Sequence, residues 1–359
     1  MKEGINRLLS GGALLTAKHI SKELGMARKE VNSFLHQSQD TYEKDADFRW
    51  RLIDAKHARI ALPTGWVTGE AFETIFQEAG DILDGPCQRI DFVFSPKCKT
   101  MIDCIARLLA VMNQLAHRGK QVTADFTEAG GTLTYLNRAG FFDLLDQGVA
   151  VLPRRPSVSA AKRYQGNSGN LVEFDRVDPK GSNNDLIEQL TNKFVQHSTT
   201  DHRVAALTVF GELIGNVFEH SESPLAGFAG LQKYGGHRNH IQTVVSDSGI
   251  GIARTLRPGL KAHYPALYKT FGEPSLESDI GLVTAAMSKG EISRYGDGRG
   301  LGFKSSREQA IKFNAEISVR QQEFCLKFKY CEGELINVER RSDLSNLMGT
   351  HICFDFYLD

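Results

Sequence analysis

The chain has 359 residues, of which 41% are hydrophobic and 24% charged, and its 43 basic side chains balance 43 acidic ones. That length suits two or three globular domains, and zero formal charge excludes a global basic field aimed at nucleic acid. No apolar run approaches the roughly 18 residues of a membrane span, and the start "MKEGINRLLS" has no apolar leader core. The expectation is a cytoplasmic chain with no membrane partner. The six cysteines form no C-x-x-C and have no histidine at ligand spacing, so they read as reduced and buried rather than as a metal site.

In chain order, residues 1–56 come first. "TAKHISKELGMARKEVNSFLHQS" (16–38) predicts a helix, a turn at Gly25 and a second helix, with Leu24, Val31, Phe34 and Leu35 on the apolar face. "TYEKDADFRWRL" then predicts a short wing-like hairpin. Eleven basic residues against eight acidic ones over 1–59 make the local charge mildly positive.

Residues 57–155 alternate strand and helix signals. "RIDFVFS" (89–95) and "QVTADF" (121–126) predict strands, whereas 99–119 and "GGTLTYLNRAGFFDLL" (130–145) predict one helix each. That alternation predicts a small α/β layer with a partly parallel sheet. Residues 156–180, following a Pro- and Arg-rich stretch and containing "SGN", predict a linker. From 181 onward two helical patterns, "NDLIEQLTNKFVQH" and "HRVAALTVFGELIGNVFEHS", precede strands "AEISVRQ", "EFCLKFKY" and "THICFDFYL". In the middle strand Phe324, Leu326, Phe328 and Tyr330 alternate with Cys325, Lys327 and Lys329, the period of a half-buried antiparallel strand.

Three groups in this last block carry chemistry. Glu212 and Asn216, four apart, share one face of a helix. A strand ends in Asp247, followed by Gly249 and Gly251; an aspartate there accepts a hydrogen bond from an exocyclic amine while the glycines let the backbone turn. Then "RYGDGRGLGFKSS" (294–306) sets glycine at every second position, 296 to 302, ahead of a helical pattern whose N-terminal N–H groups suit an anion.

E-x-x-x-N, D-x-G-x-G and G-x-G-x-G in that order resemble the Bergerat-fold ATPases, the GHKL superfamily of gyrase, heat-shock chaperone, histidine kinase and mismatch-repair ATPases. The closing "GTHICFDFYL" looks like that family's last strand, with Gly349 and Thr350 near the adenine. The resemblance covers roughly 180–359 and implies an α/β sandwich with a mixed sheet and ATP with Mg²⁺ as cofactors. Asn216 would ligate the Mg²⁺, Asp247 would bind the adenine amine, and Gly249 and Gly251 would shape the pocket. Residues 252–295 would form a lid, and Gly298, Arg299, Gly300, Leu301 and Gly302 would take the triphosphate, Thr350 closing the site. Glu212 matches the residue that activates the attacking water, and a γ-phosphate cation would come from Lys289, Arg294, Arg299, Lys304 or a partner.

The N-terminal stretch resembles the Zα winged helices that bind left-handed duplexes. The matching positions are Arg28, Lys29, Asn32, His36 and Trp50, with Phe48 and Arg49 standing where that family has paired prolines. The middle block faintly resembles STAS domains without their Asp-Ser-Ser-Gly signature; Thr127 and Thr132 are the nearest hydroxyls, read as a turn residue and a helix cap. Together these imply a multidomain α/β regulator: winged helix-turn-helix (1–56), STAS-like layer (57–155), linker (156–180) and GHKL domain (181–359). Its ATP state would govern nucleic-acid binding and a dimer or partner interface. Transfer of phosphate to protein, as in anti-sigma serine kinases, and a non-catalytic ATP-gated transcription regulator are the alternatives.

Overall fold

The computed structural model describes residues 1–9, 13–39, 41–52, 57–178, 181–220, 223–236, 238–289, 292 and 314–358. Two units separate, one of residues 1–58 with 86–89 and one of the remainder.

The first unit holds α1 (Lys2–Leu9), β1 (Leu15–Thr16), α2 (Ala17–Leu24), α3 (Arg28–Gln37), β2 (Tyr42–Lys44) and β3 (Arg49–Leu52). Thr16 caps α2, its hydroxyl accepting from the His19 N–H, and Gly25 at φ +62° ends the helix. The three strands run antiparallel in the order β1-β3-β2. Ile5, Leu9, Ile20, Val31, Leu35, Tyr42 and Trp50 make the core. Between β2 and β3 the chain turns at Phe48, φ +59° and 70% exposed, around an Asp45 carboxylate that accepts from the Asp47 and Arg49 N–H groups.

The second unit opens with β4 (His57–Leu62), β5 (Gly65–Val67), α4 (Gly69–Glu78), β6 (Arg89–Phe94), β7 (Cys98–Thr100), α5 (Ile102–His117) and β8 (Gln121–Asp125). Next come α6 (Gly130–Ala139), α7 (Phe141–Leu144) and β9 (Ala150–Leu152). One sheet has the order β4-β6-β8-β9, with β8 and β9 parallel, and β5 pairs β7 in parallel. The single helix expected over 130–145 is broken at Gly140, φ +89°, where a side chain would come within 2.7 Å of the Phe174 carbonyl. The expected linker, 156–180, contains α8 (Ala160–Arg163) and the strand β10 (Leu171–Val177). In that strand Leu171, Val172, Phe174 and Val177 are buried, as is Glu173, while Asp175 and Arg176 are exposed.

The chain continues through α9 (Asn184–His197), a 3-10 turn (Thr200–His202), α10 (Arg203–His220), β11 (Gly227–Tyr234), β12 (His240–Ser246) and α11 (Ile252–His263). Then follow α12 (Pro265–Phe271), α13 (Leu276–Lys289), β13 (Ala315–Gln322), β14 (Phe324–Cys331), β15 (Glu334–Arg341) and β16 (Leu347–Tyr357). They form a seven-stranded sheet, β10-β11-β12-β16-β13-β14-β15. Every pair in it is antiparallel, which corrects the expected mixed sheet. The neighbours β11/β12 and β13/β14/β15 follow each other directly, and β16 returns between β12 and β13 antiparallel to both.

One face of this sheet meets α9, α10, α11 and α13 in a continuous apolar core. The expected lid is, through residue 289, three helices, of which α11 and α13 set Ile252, Leu256, Leu260, Leu282, Val283 and Ala286 into that core. The opposite face is also covered, because α5 packs on β11, β12 and β16. The middle block, apart from residues 57–58 and 86–89, and the C-terminal block lie in the same compact unit. The lysine side of β14 is accordingly not a free solvent face: Lys327 pairs with Glu70 of α4.

At the centre of that second face Arg320 of β13 is fully buried. Its guanidinium donates to both Glu73 oxygens, at 3.0 and 3.1 Å, and to the Ser345 carbonyl at 2.6 Å. The Arg107 Nε lies 3.5 Å from the same carboxylate. Removing one member of a buried ion set strands the others. Glu73→Ala is expected to lower unfolding free energy by about 3–5 kcal/mol, whereas Glu277→Ala, which breaks the exposed pair with Arg340, costs at most about 1 kcal/mol. Urea denaturation of both variants checks the contrast.

Candidate functional site

β12 ends at Ser246, and the next residue, Asp247, is only 5% exposed. Its Oδ1 accepts from the Gly249 N–H at 2.6 Å, closing a tight aspartate turn. Its own N–H donates to the Thr350 carbonyl at 2.9 Å, adding one rung to the β12–β16 ladder. The Gln321 side chain joins the other walls: its Nε2 donates to the Thr350 hydroxyl at 2.8 Å and its Oε1 accepts from the Ile252 N–H at 2.9 Å. The start of α11 is thereby fastened to β16 through β13.

Glycine is required twice here. Gly251 has φ +83°, and a Cβ on it would sit 3.0 Å from the Gln321 Oε1. Gly349 has φ +99°, and a Cβ there would fall 2.0 Å from the Asp247 carbonyl oxygen. Gly227 serves packing, since a Cβ would meet Val217 at 2.4 Å, so α10 lies close against the strand that flanks Asp247.

Glu212 and Asn216 occupy successive turns of α10, both half-buried. The Asn216 Nδ2 is buried with no hydrogen-bond partner among the described residues. An orphaned amide next to the Val217 contact fits a site built to receive a polar ligand. Among the described residues no cluster of three His, Cys, Asp or Glu would hold a metal unaided. Mg²⁺ fits the donor set only as an ion held by phosphate oxygens and water beside Asn216.

Burial raises the Asp247 pKa to about 6, against the opposing pull of the Gly249 N–H and of the Thr350 N–H and hydroxyl. Just behind it, Ser246 Oγ and His351 Nδ1 lie 2.5 Å apart, and His351 Nε2 is 3.0 Å from the Met348 carbonyl. Burial, with the Arg320 and Arg107 charges, lowers the His351 pKa to about 3. The ring is neutral, so Nε2–H donates to Met348 and Nδ1 accepts from the Ser246 hydroxyl.

Asp247, Gly249, Gly251 and Thr350 are thus brought together as the sequence implied. Gly298, Arg299, Gly300, Leu301 and Gly302 lie outside the described residues, as do Arg294, Lys304 and the Lys289 side chain. Gln321 and Gly227 were not legible as site residues, because an amide in a strand and one more glycine carry no motif. In the first unit Arg28, Lys29, Asn32 and His36 are exposed on α3. Trp50 is 2% exposed inside the core with the His36 ring edge-on at 4.9 Å, so strand alternation makes it a packing residue and not a surface contact. Thr132, expected to cap a helix, instead donates to the Cys98 carbonyl at 2.5 Å and is buried; Thr127 bonds to Asp125.

The site therefore combines a buried carboxylate at a strand end, held in an aspartate turn, with a helix whose Asn216 amide has no partner among the described residues, on a sheet that helices cover on both faces. Residues 201–354 match the family of histidine kinase-, DNA gyrase B-, and HSP90-like ATPases, which supports an ATP-binding domain of that kind in this part of the chain. No curated protein and no solved structure matches the chain.

Because burial lifts the Asp247 pKa from 3.8 to about 6, the native state holds an extra proton between those values. The stability this group contributes is present below the unfolded pKa and is lost as pH rises through about 6. Urea unfolding from pH 4 to 7 is expected to show a fall in wild type that Asp247→Asn lacks, after the two curves are subtracted.

Proposed function

We propose that the chain is a Mg²⁺-dependent ATPase in which Asp247 recognises the adenine amine and Glu212 activates the attacking water. The observation that carries the reading is the Asp247 carboxylate: buried, raised in pKa by desolvation and set at the mouth of a turn that glycine keeps open. An ionised carboxylate in such a place is costly until a donor reaches it, and an exocyclic amine is the donor the family match suggests. Bound Mg²⁺ would neutralise phosphate charge, with Asn216 as its protein ligand. Glu212, one turn earlier on α10, would hold the water through its carboxylate and accept its proton.

Titration of Mg·ATP should give an affinity at least about tenfold weaker for Asp247→Asn, a loss of ~1.4 kcal/mol. Equal affinity in both proteins, or none in either, sinks the reading. Glu212→Ala should keep ATP binding and abolish release of free phosphate. With γ-labelled ATP, label on protein instead of free phosphate would favour the kinase alternative. The bonded and buried Thr132 hydroxyl speaks against that residue as the phosphate acceptor.

The same proposal gives the first unit a nucleic-acid role, supported by the four exposed polar and basic side chains on α3. Contacts from Arg28, Lys29 and Asn32 to phosphate would confer affinity without reading bases. Binding to left-handed, right-handed and single-stranded probes should therefore fall on the order of tenfold between 50 and 200 mM salt, as two cationic phosphate contacts imply. Absence of binding to all three leaves α3 a protein-contact surface.

A further inference from the structure

Helix α5 belongs to the middle block, yet its Gln114 side chain ends beside Asp247. Arg107 and Gln114 lie two helical turns apart on one face, both almost fully buried in a helix otherwise rich in leucine and alanine. A glutamine in such a place is unfavourable unless its amide is fully bonded, and here it is. Gln114 Nε2 donates to the Ser248 hydroxyl and to the Met348 carbonyl, each at 2.9 Å, while Oε1 accepts from the Met348 N–H at 3.0 Å.

Those two partners flank Asp247. Ser248 follows it directly, and Met348 precedes Gly349, whose backbone rests on the Asp247 carbonyl. Met348 is also the residue on which neutral His351 closes. Arg107 of the same helix is linked to that pocket only through intermediates. Arg107 stands beside Glu73, Glu73 holds Arg320, and the next residue, Gln321, fastens Ile252 and Thr350.

We propose that Gln114 is a positioning residue for the adenine end of the nucleotide site, through which α5 sets the affinity for ATP. The inference rests on the reading of Asp247 as the adenine-binding group. Gln114 touches no nucleotide; it holds the loop 247–249 and the Met348–Gly349 turn at one separation. Coupling of this kind is reciprocal, so whatever binds the middle block and shifts α5 changes ATP affinity, and ATP tightens α5 in return.

The test is a double-mutant cycle in the full chain, with Kd read by competition against a fluorescent ATP analogue. Gln114→Leu should weaken ATP about tenfold in the wild-type background and less than about twofold in the Asp247→Asn background, because its effect passes through Asp247. Gln114→Glu keeps the acceptor for Met348 N–H but loses both donor bonds, and should fall between. Ser248→Ala removes one arm of the clamp without touching α5, should weaken ATP a few-fold, and serves if Gln114→Leu does not fold. An unchanged Kd in the folded variants, or equal tenfold losses in both backgrounds, overturns the proposal; the second result assigns Gln114 a general structural role. Failure of wild type to bind ATP overturns this inference together with the Asp247 reading. If Asp247→Asn weakens binding while the Gln114 and Ser248 variants match wild type, the inference alone falls.

Discussion

Glu73 grips Arg320 with two bonds and stands beside Arg107, all three out of solvent, at the junction of α4, α5 and β13. A buried set like this is no large net source of stability, because desolvation offsets most of its attraction. Its force is in the penalty for any other arrangement. Were α5 to slide by one turn along the sheet, a guanidinium or a carboxylate would be left buried and unpaired. The set therefore fixes where the middle block sits, and with it where Gln114 falls.

This placement gives the seven-stranded sheet two covered faces made by different chemistry. On one, Ile241, Val245, Val319, Leu326 and Phe354 meet apolar helices. On the other, residues one position out of phase supply Gln242, Ser246, Arg320, Lys327 and His351, and the helices opposite answer with Glu70, Glu73 and Gln114. Strand alternation permits this division. The apolar face supplies the driving force for folding, and the polar face supplies register.

The proposed nucleotide pocket lies where both faces end. Asp247 leaves β12 at the rim, so it is shielded by the core on one side and by the Ser246–His351–Met348 bonds on the other. Its raised pKa expresses that double shielding. Much of this was legible beforehand: Glu212, Asn216, Asp247, Gly249 and Gly251 stand in a fixed order of spacings, and spacing on a helix or at a strand end translates directly into a shared face or a turn. Gln321 and Gln114 were not legible, since an amide acquires a role only from the atoms opposite it. Trp50 shows the converse error, for a position matched by motif turned out to be decided by which way its strand faces the core.

By itself the sequence determined the helical and strand periods, the glycine turns and the match of residues 201–354 to an ATPase family, all of which depend on neighbours within a few positions or on motif order. Only the tertiary structure decided that 156–180 contributes a strand, that the sheet is antiparallel throughout, and that the middle block lies against the sheet's second face. Those outcomes depend on pairings across the chain, such as Glu73 with Arg320 and Gln114 with Met348, separated by 247 and 234 positions. No local pattern records such a pair. Its energy appears only when burial removes water from both partners at once.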